Sequence, residues 1–264
     1  MKLGISYNVF DGEELLEGSI SYIRDQVDYI SAVYQTNSWF GAKASDTLMN
    51  TLNYLVGKKY IDEISEYHSR TVENENPLEA HIQQLNKRNI GLELSRKNSC
   101  THHMPIDVDE FYLPDQFKFM KNFMDTKEFD VCALKHLQYY KDSIYMIVPP
   151  EQEYIIGIFK IQDDTSFVYG VDCPVPVDPS RKPDAEIQEL AIFPRDSIEM
   201  HHMSFVRKNI RGKLMSSIAK SSINQDIDKI VDYYNNWKYP MQAMWAGGNL
   251  LNVVEVKRNF DVYR

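Results

Sequence analysis

The sequence predicts an α/β fold: a mixed sheet flanked by helices, mainly parallel in its first half, with a helical segment towards the C-terminus. Three observations carry this expectation. In the first half, short apolar runs alternate with stretches of helical periodicity, as strand–crossover–strand units require. In the second half, strand-like runs follow one another with short turns between them. The composition, 43% hydrophobic and 25% charged over 264 residues, suits one large domain spanning 1–264.

Leu3–Tyr7 reads as a buried strand and about Gly12–Val27 as a helix, with Leu16, Ile20, Ile23 and Val27 on one apolar stripe. Asp28–Tyr34 is the second strand, closed by the polar turn Gln35–Ser38. A second helix carries Leu48, Leu52 and Leu55, and Ile61–His68 is a third strand. A long helix runs from Pro77, a favoured first-turn residue, to Lys97, with its buried stripe expected at Leu78, Ile82, Leu85 and Leu92. Cys100–Ile106 is the fourth strand and ends at Asp107. Such sheets bind ligands at the carboxyl ends of their strands, so Tyr7–Gly12, Gln35–Ser38 and Asp107–Tyr112 should converge on one crevice. There Tyr7, Asn8, Asp11 and Gln35 are the candidate ligand contacts.

After a helix over Pro114–Thr126, the segments around Cys132–Tyr140, Ile144–Val148, Tyr154–Ile161 and Phe167–Val171 read as antiparallel strands. Cys173–Asp184 holds four prolines and reads as a loop, a mobile lid framing an acceptor. Helices over about Phe205–Ser221 and Gln225–Asn236 and a last strand, Leu251–Val256, follow.

With 29 basic against 38 acidic residues, the formal charge of −9 makes nucleic acid a poor expected partner. No apolar run approaches the roughly 20 residues of a membrane span. Three widely spaced cysteines fit a reducing compartment, and the charged N-terminus lacks a signal-peptide pattern, so a cytoplasmic location is expected. The motifs of dinucleotide enzymes, P-loop ATPases, serine hydrolases and zinc proteases are missing from the sequence.

The most informative stretch is Met104-Pro-Ile-Asp107-Val-Asp109-Glu-Phe-Tyr112. Two aspartates at i and i+2 after an apolar strand leave the sheet where the backbone turns. Both can reach one small hard cation, whose remaining positions stay open to water and phosphate oxygens. Capping the helix near Pro114 is the alternative role for the same pair. On the long helix, Asn89 follows the apolar stripe, and a polar residue there must find hydrogen-bond partners. It reads either as a donor contact beside Arg88 or as a stripe-edge residue next to a surface Lys-Arg pair.

With Ser6-Tyr-Asn-Val-Phe-Asp-Gly-Glu-Glu-Leu15 and Lys87-Arg-Asn-Ile-Gly91, the Asp-Val-Asp-Glu-Phe string resembles nucleotide-sugar-dependent glycosyltransferases of the GT-A fold. It is similar to glycosyltransferase family 2 and its relatives with an Asp-x-Asp-Glu-Phe signature. The resemblance covers roughly the first half. It reaches further through His201-His202-Met-Ser-Phe-Val-Arg207, which resembles a His-aromatic-Ser-x-x-Arg segment of related transferases.

The resemblance implies a GT-A-like (Rossmann-like) sheet with a nucleoside-diphosphate sugar, a UDP-sugar favoured, bound in a donor half over 1–112. A glycan or other hydroxyl acceptor would meet the half over 113–264. It also implies a divalent cation, Mn2+ or Mg2+, with Asp107 near the ribose and metal shell, Asp109 as direct ligand at the catalytic centre and His202 completing the shell. Met203 stands where the pattern has an aromatic residue, so His201 remains an alternative. An imidazole beside two carboxylates tilts the ion towards manganese. Arg207, with Lys208 or Lys213, would pair with the diphosphate, and Arg88 with the nucleotide.

An inverting transfer needs a carboxylate base. Asp172, Asp184, Glu186, Glu189 and Glu199 are available in the second half, and Glu189 is favoured because it precedes the apolar run into the histidine motif. Trp39, Trp237 and Trp245 are faces on which a sugar can stack. The rival activities are a sugar nucleotidyltransferase, for which Asn8–Glu13 is too acidic a loop, and a metal-dependent phosphoesterase, which needs more ligand clusters at other strand ends. A non-enzymatic glycan-binding module has no need of a metal–diphosphate site.

Overall fold

A computed structural model of the chain describes residues 1–127, 129–218, 227–245 and 247–263. The alternating first half forms four parallel strands: β1 (Leu3–Val9), β2 (Tyr29–Tyr34), β3 (Glu63–Glu66) and β4 (His102–Asp107), side by side in the order β3-β2-β1-β4. Alternation along β1 explains its place at the centre. Leu3, Ile5, Tyr7 and Val9 are fully buried in the main hydrophobic cluster with Leu16, Ile20, Leu52 and Ile106. Gly4 and Ser6 point the other way, towards the long helix. The helices of this half are α1 (Leu16–Ile23), flanked by short 3-10 turns, α2 (Leu48–Gly57) and α3 (Pro77–Lys97).

Helix α3 has the expected ends but not the expected buried face. Leu85 and Leu92 are buried, whereas Leu78 and Ile82 are each 42% exposed. The face against the sheet is made instead by Lys87, Arg88, Gly91, Leu94 and Ser95. Small side chains let the helix approach β1: a Cβ on Gly91 would stand 2.0 Å from Ser6 Oγ, and one on Gly4 2.4 Å from Ser95 Oγ. The first turns of α3 wall the crevice through Pro77, His81 and Gln84 rather than cover the sheet.

The second half extends the same sheet with antiparallel strands. These are β6 (Val131–Tyr140), β7 (Asp142–Val148) and β8 (Tyr154–Lys160), with β8 pairing β4. Between the halves lie the two-residue strand β5 (Glu110–Phe111) and helix α4 (Pro114–Thr126). The strand expected over Phe167–Val171 shrinks to β9 (Ser166–Phe167), paired with β10 (Pro183–Asp184). The chain turns away at Gly170, whose φ is +86°.

Two further strands, β11 (Leu190–Ile192) and β12 (Glu199–Phe205), run parallel to β6 where the sequence reading placed no strand. The helix expected from Phe205 begins later, as α5 (Ile210–Ser216), with the Asn209 side chain accepting from Gly212 N–H. Helix α6 (Ile227–Asn236) follows, and β13 (Ala243–Met244) and β14 (Leu250–Glu255) end the sheet beside β7. The parts of the two expected helices that fall on 219–226 lie outside the described residues. Among the described residues no helix is long and apolar enough to cross a membrane.

The proline-rich stretch is tied down rather than free. Val177 is buried and bridges to Tyr154, Asp178 caps the turn Pro179–Arg181, and Arg181 is buried in ion pairs.

Candidate active site

Strands β1, β2 and β4 end on one edge of the sheet, with Asn8 paired beside Asp107. There a cleft of about 580 Å³ opens, lined from the first half by Asn8, Asp11, Gln35, Asp107 and Asp109. The second half supplies Asp178, Ser180, His202, Arg207 and Lys213. After β4 the chain turns at Val108 and Asp109, and β5 then pairs antiparallel with β12, His202 opposite Glu110. Met203 N–H donates to Asp109 carbonyl at 2.7 Å, which fixes the turn.

That pairing turns the two histidines to opposite sides of the strand. Side chains alternate along an extended strand. His201 faces the core, where its Nδ1 shares a 2.8 Å hydrogen bond with the Tyr139 hydroxyl and burial lowers its pKa to about 4. His202 faces the cleft, its Nε2 3.6 Å from Asp109 Oδ1.

Both aspartates of the motif are held by cations. Burial would raise the Asp107 carboxyl, but Arg88 Nη2 at 3.2 Å and Arg181 Nη2 at 2.6 Å outweigh it and hold the pKa at about 2. Asp109 is buried too, yet Lys213 Nζ at 3.0 Å and Arg207 Nη2 at 2.6 Å, with His202, keep it well below the usual carboxylate range. Glu110 is pushed upwards by burial, with Asp107 adding to the rise, although Arg181 grips it through both nitrogens. Lys87 is buried in the cleft floor, donates to Val9 carbonyl at 2.7 Å and has its pKa driven far down by burial. Arg207 keeps Nε and Nη1 buried without a hydrogen-bond partner, as does Arg88.

The structure gathers most of the expected site and moves three of its members. Asn8, Asp11, Gln35, Asp107, Asp109, His202 and Arg207 all line the cleft, and Arg88 stands behind it on Asp107. Asn8 Oδ1 and Gln35 Oε1 are buried without partners, while Gln35 Nε2 donates to Asn37 carbonyl. Tyr7 belongs to the core: fully buried, its hydroxyl bonds Ser19 at 3.0 Å. Asn89 finds its partners in the backbone of β9, donating to Phe167 carbonyl at 2.9 Å and accepting its N–H at 2.7 Å. Glu189 lies away from the cleft, in a separate cavity with His102, Asp130 and Lys160, because β11 docks beside the start of β6.

Trp39 does line the cleft, whereas Trp237 is buried in a second core cluster that Trp245 packs against. Sequence reasoning missed Arg181, Glu110, Lys87 and Asp178. Glu110 carried a signal in its place inside the Asp-x-Asp-Glu string and Lys87 in the Lys-Arg-Asn string, while Arg181 and Asp178 lay unmarked in the proline-rich stretch.

Asp107, Asp109 and His202 do not assemble as three ligands. Among the described residues no group of three or more His, Cys, Asp or Glu side chains is placed to hold a metal ion. Asp107 is turned to two arginines, leaving Asp109 Oδ1 and His202 Nε2 as neighbouring donors. Two protein donors, completed by water and phosphate oxygens, fit the habits of magnesium and manganese.

No protein-family model matches the chain, and no curated protein matches it. Among solved structures it is similar to S. aureus TarS 1-349 in complex with UDP-GlcNAc. The identity is 12%, covering 89% of this chain and 72% of that one, with a TM-score of 0.48. It is also similar to the mannosyltransferase PcManGT from Pyrobaculum calidifontis in complex with GDP-Man and Mn2+. There the identity is 10%, covering 52% of this chain and 35% of that one, with a TM-score of 0.32.

Proposed function

We propose that the chain transfers a sugar from a nucleoside-diphosphate donor, a UDP-sugar favoured, to a hydroxyl of a glycan or other acceptor. The observation that carries this reading is Arg207. Its guanidinium is buried in the cleft wall, pairs with Asp109 through Nη2, and keeps Nε and Nη1 without hydrogen-bond partners. A buried donor pair beside Lys213 is what an anionic diphosphate needs, and guanidinium forks suit phosphate geometry. Asn8, Gln35 and Arg88 serve the nucleoside, with Asp107 orienting Arg88.

Asp109 and His202 are the residues that would hold Mn2+ or Mg2+, which supplies Lewis-acid neutralisation of the departing diphosphate. Residues 1–112 carry most of the donor contacts, and 113–264 bring the phosphate-facing cations and the acceptor side, all within one domain.

The test is a thermal-shift screen with UDP-, GDP-, dTDP- and CMP-sugars, with and without manganese. A ligand at 100 times its dissociation constant stabilises by about 2.7 kcal/mol. One diphosphate sugar is expected to raise the midpoint, and the CMP-sugar, a monophosphate, to raise it less. No shift with any nucleotide sugar overturns the reading.

A further inference from the structure

We infer that Phe260 is a positioning residue of the cleft: from the core side of the sheet it holds β5 and β12 in the register that sets Asp109 beside His202. It rests on the reading of that pair as the holders of a divalent cation. The scaffold of the pair is slight. β5 is two residues long, and its ladder with β12 has two residue pairs, Glu110 with His202 and Phe111 with His201. Side chains alternate, so the first pair lies on the side of the cleft and the second on the side of the core. So short a ladder has few hydrogen bonds of its own, and its alignment depends on what packs against its side chains.

Phe260 is what packs there. It is 1% exposed, and its ring centroid lies 4.8 Å from that of His201, 5.4 Å from Phe111 and 5.0 Å from Tyr22 on α1. All three rings meet it tilted or edge-on, the favoured aromatic geometry. It therefore touches both members of the core-side pair, one on each strand, and fastens them together.

The segment that carries Phe260, residues 257–263, forms no helix or strand but is anchored along its length. Arg258 pairs with Asp142 at 2.8 Å, and the Phe260 carbonyl accepts the Ser143 hydroxyl at 3.0 Å. Asp261 N–H donates to the Tyr22 hydroxyl at 2.8 Å. Gly18 admits the chain against α1, since a Cβ there would stand 2.8 Å from the Val262 carbonyl oxygen. Val262 is buried with Phe111, Met203 and Val206, and the Tyr263 ring lies 4.9 Å from Lys208 Nζ. The residues this segment lands on, Phe111, His201 and Lys208, are the chain neighbours of Glu110, His202 and Arg207.

Shortening the Phe260 side chain leaves a cavity under both strands, into which either can settle. Asp109 Oδ1 and His202 Nε2, 3.6 Å apart, then lose their common aim. Arg207 follows β12 and is no part of the ladder, so the diphosphate contact should outlast the change.

The test uses the full chain and follows UDP and GDP binding by calorimetry as manganese is raised. The variants are Phe260→Met, Phe260→Ala and Phe159→Met. Phe159 is buried as deeply as Phe260 but packs against His103 and Phe167, so it reports what the loss of a core ring does by itself. Phe260→Met keeps most of the volume and should fold. It is expected to need about three- to tenfold more manganese than wild type for the same nucleotide affinity, less than the loss of a hydrogen-bonded partner of a ligand costs. At saturating manganese it should bind within about twofold of wild type. Phe260→Ala, where it folds, should need more manganese still, and Phe159→Met should keep the wild-type requirement. An unshifted requirement in Phe260→Met, or an equal shift in Phe159→Met, overturns the assignment. A wild type that binds neither nucleotide, or binds without response to manganese, removes the cation reading itself, and the assignment with it, before any variant is compared.

Discussion

Gly12 has a φ of +76°, and a Cβ built there would stand 1.5 Å from Arg207 Nη1. Only glycine serves both demands, a left-handed backbone and close contact with the buried Arg207 guanidinium. Gly12→Ala is therefore predicted to displace Arg207 and weaken UDP or GDP binding at least tenfold in calorimetry. Unchanged affinity would mean that Arg207 does not meet the diphosphate. A second residue-scale prediction concerns protons. Burial lowers His103 and His136 to about 3 and His201 to about 4. Because the unfolded chain binds these protons near pH 6.5 and the folded chain does not, stability rises with pH and is lost as pH falls from about 6.5 towards 4. Each histidine contributes a slope of about 1.4 kcal/mol per pH unit well below its unfolded pKa. Urea unfolding across that range should show the slope, and His103→Phe should reduce it by about one proton; a flat profile would refute the buried neutral rings. At this scale it was legible that His201 and His202 face opposite ways on an extended backbone, because alternation needs only neighbours; which of them faces the cleft was not, since it depends on the pairing of β12 with β5. Arg181 was not, since its partners Asp107 and Glu110 lie 74 and 71 residues away.

Helix α3 shows what an element reveals and hides. Pro77 at its start and the capping Asn76, whose side chain accepts from Leu78 N–H, make its beginning readable. Its buried face was not readable, because close approach to β1 through Gly91 and Ser95 replaces a large apolar stripe. Asn89 lies on this helix and holds both backbone groups of Phe167. Asn89→Ala is predicted to lower the unfolding free energy by about 1–3 kcal/mol, the desolvation penalty of groups left unpaired. Nucleotide affinity should stay within about twofold. Lost affinity without lost stability would restore Asn89 to the donor site. Strand β12 escaped the sequence reading because its Glu-Met-His-His-Met-Ser-Phe composition has neither alternation nor β-branched residues. It pairs only because β5 and β6 flank it.

For the whole molecule, a parallel first-half sheet with a crevice at its carboxyl edge was legible because helical and strand periods alternate locally, whereas the order β3-β2-β1-β4 is set by strand pairing that this alternation does not encode. The other wall arrives by long-range pairing of β5 with β12, which no local pattern encodes. The wall sets Arg207 and the partly exposed Lys213 on Asp109, so removing Asp109 strips the buried Arg207 of its close ion pair, a loss of about 3–5 kcal/mol. Exposed enough to replace safely, His202 is the better probe of the metal. The most direct measurement is the dissociation constant of UDP and of GDP against manganese concentration for wild type, His202→Ala and Arg207→Met. At least one nucleotide should bind wild type more tightly as manganese rises. His202→Ala should need about tenfold more manganese for the same affinity, and Arg207→Met should bind weakly at every concentration. Binding of neither nucleotide to wild type, or binding that Arg207→Met leaves intact, would contradict the account.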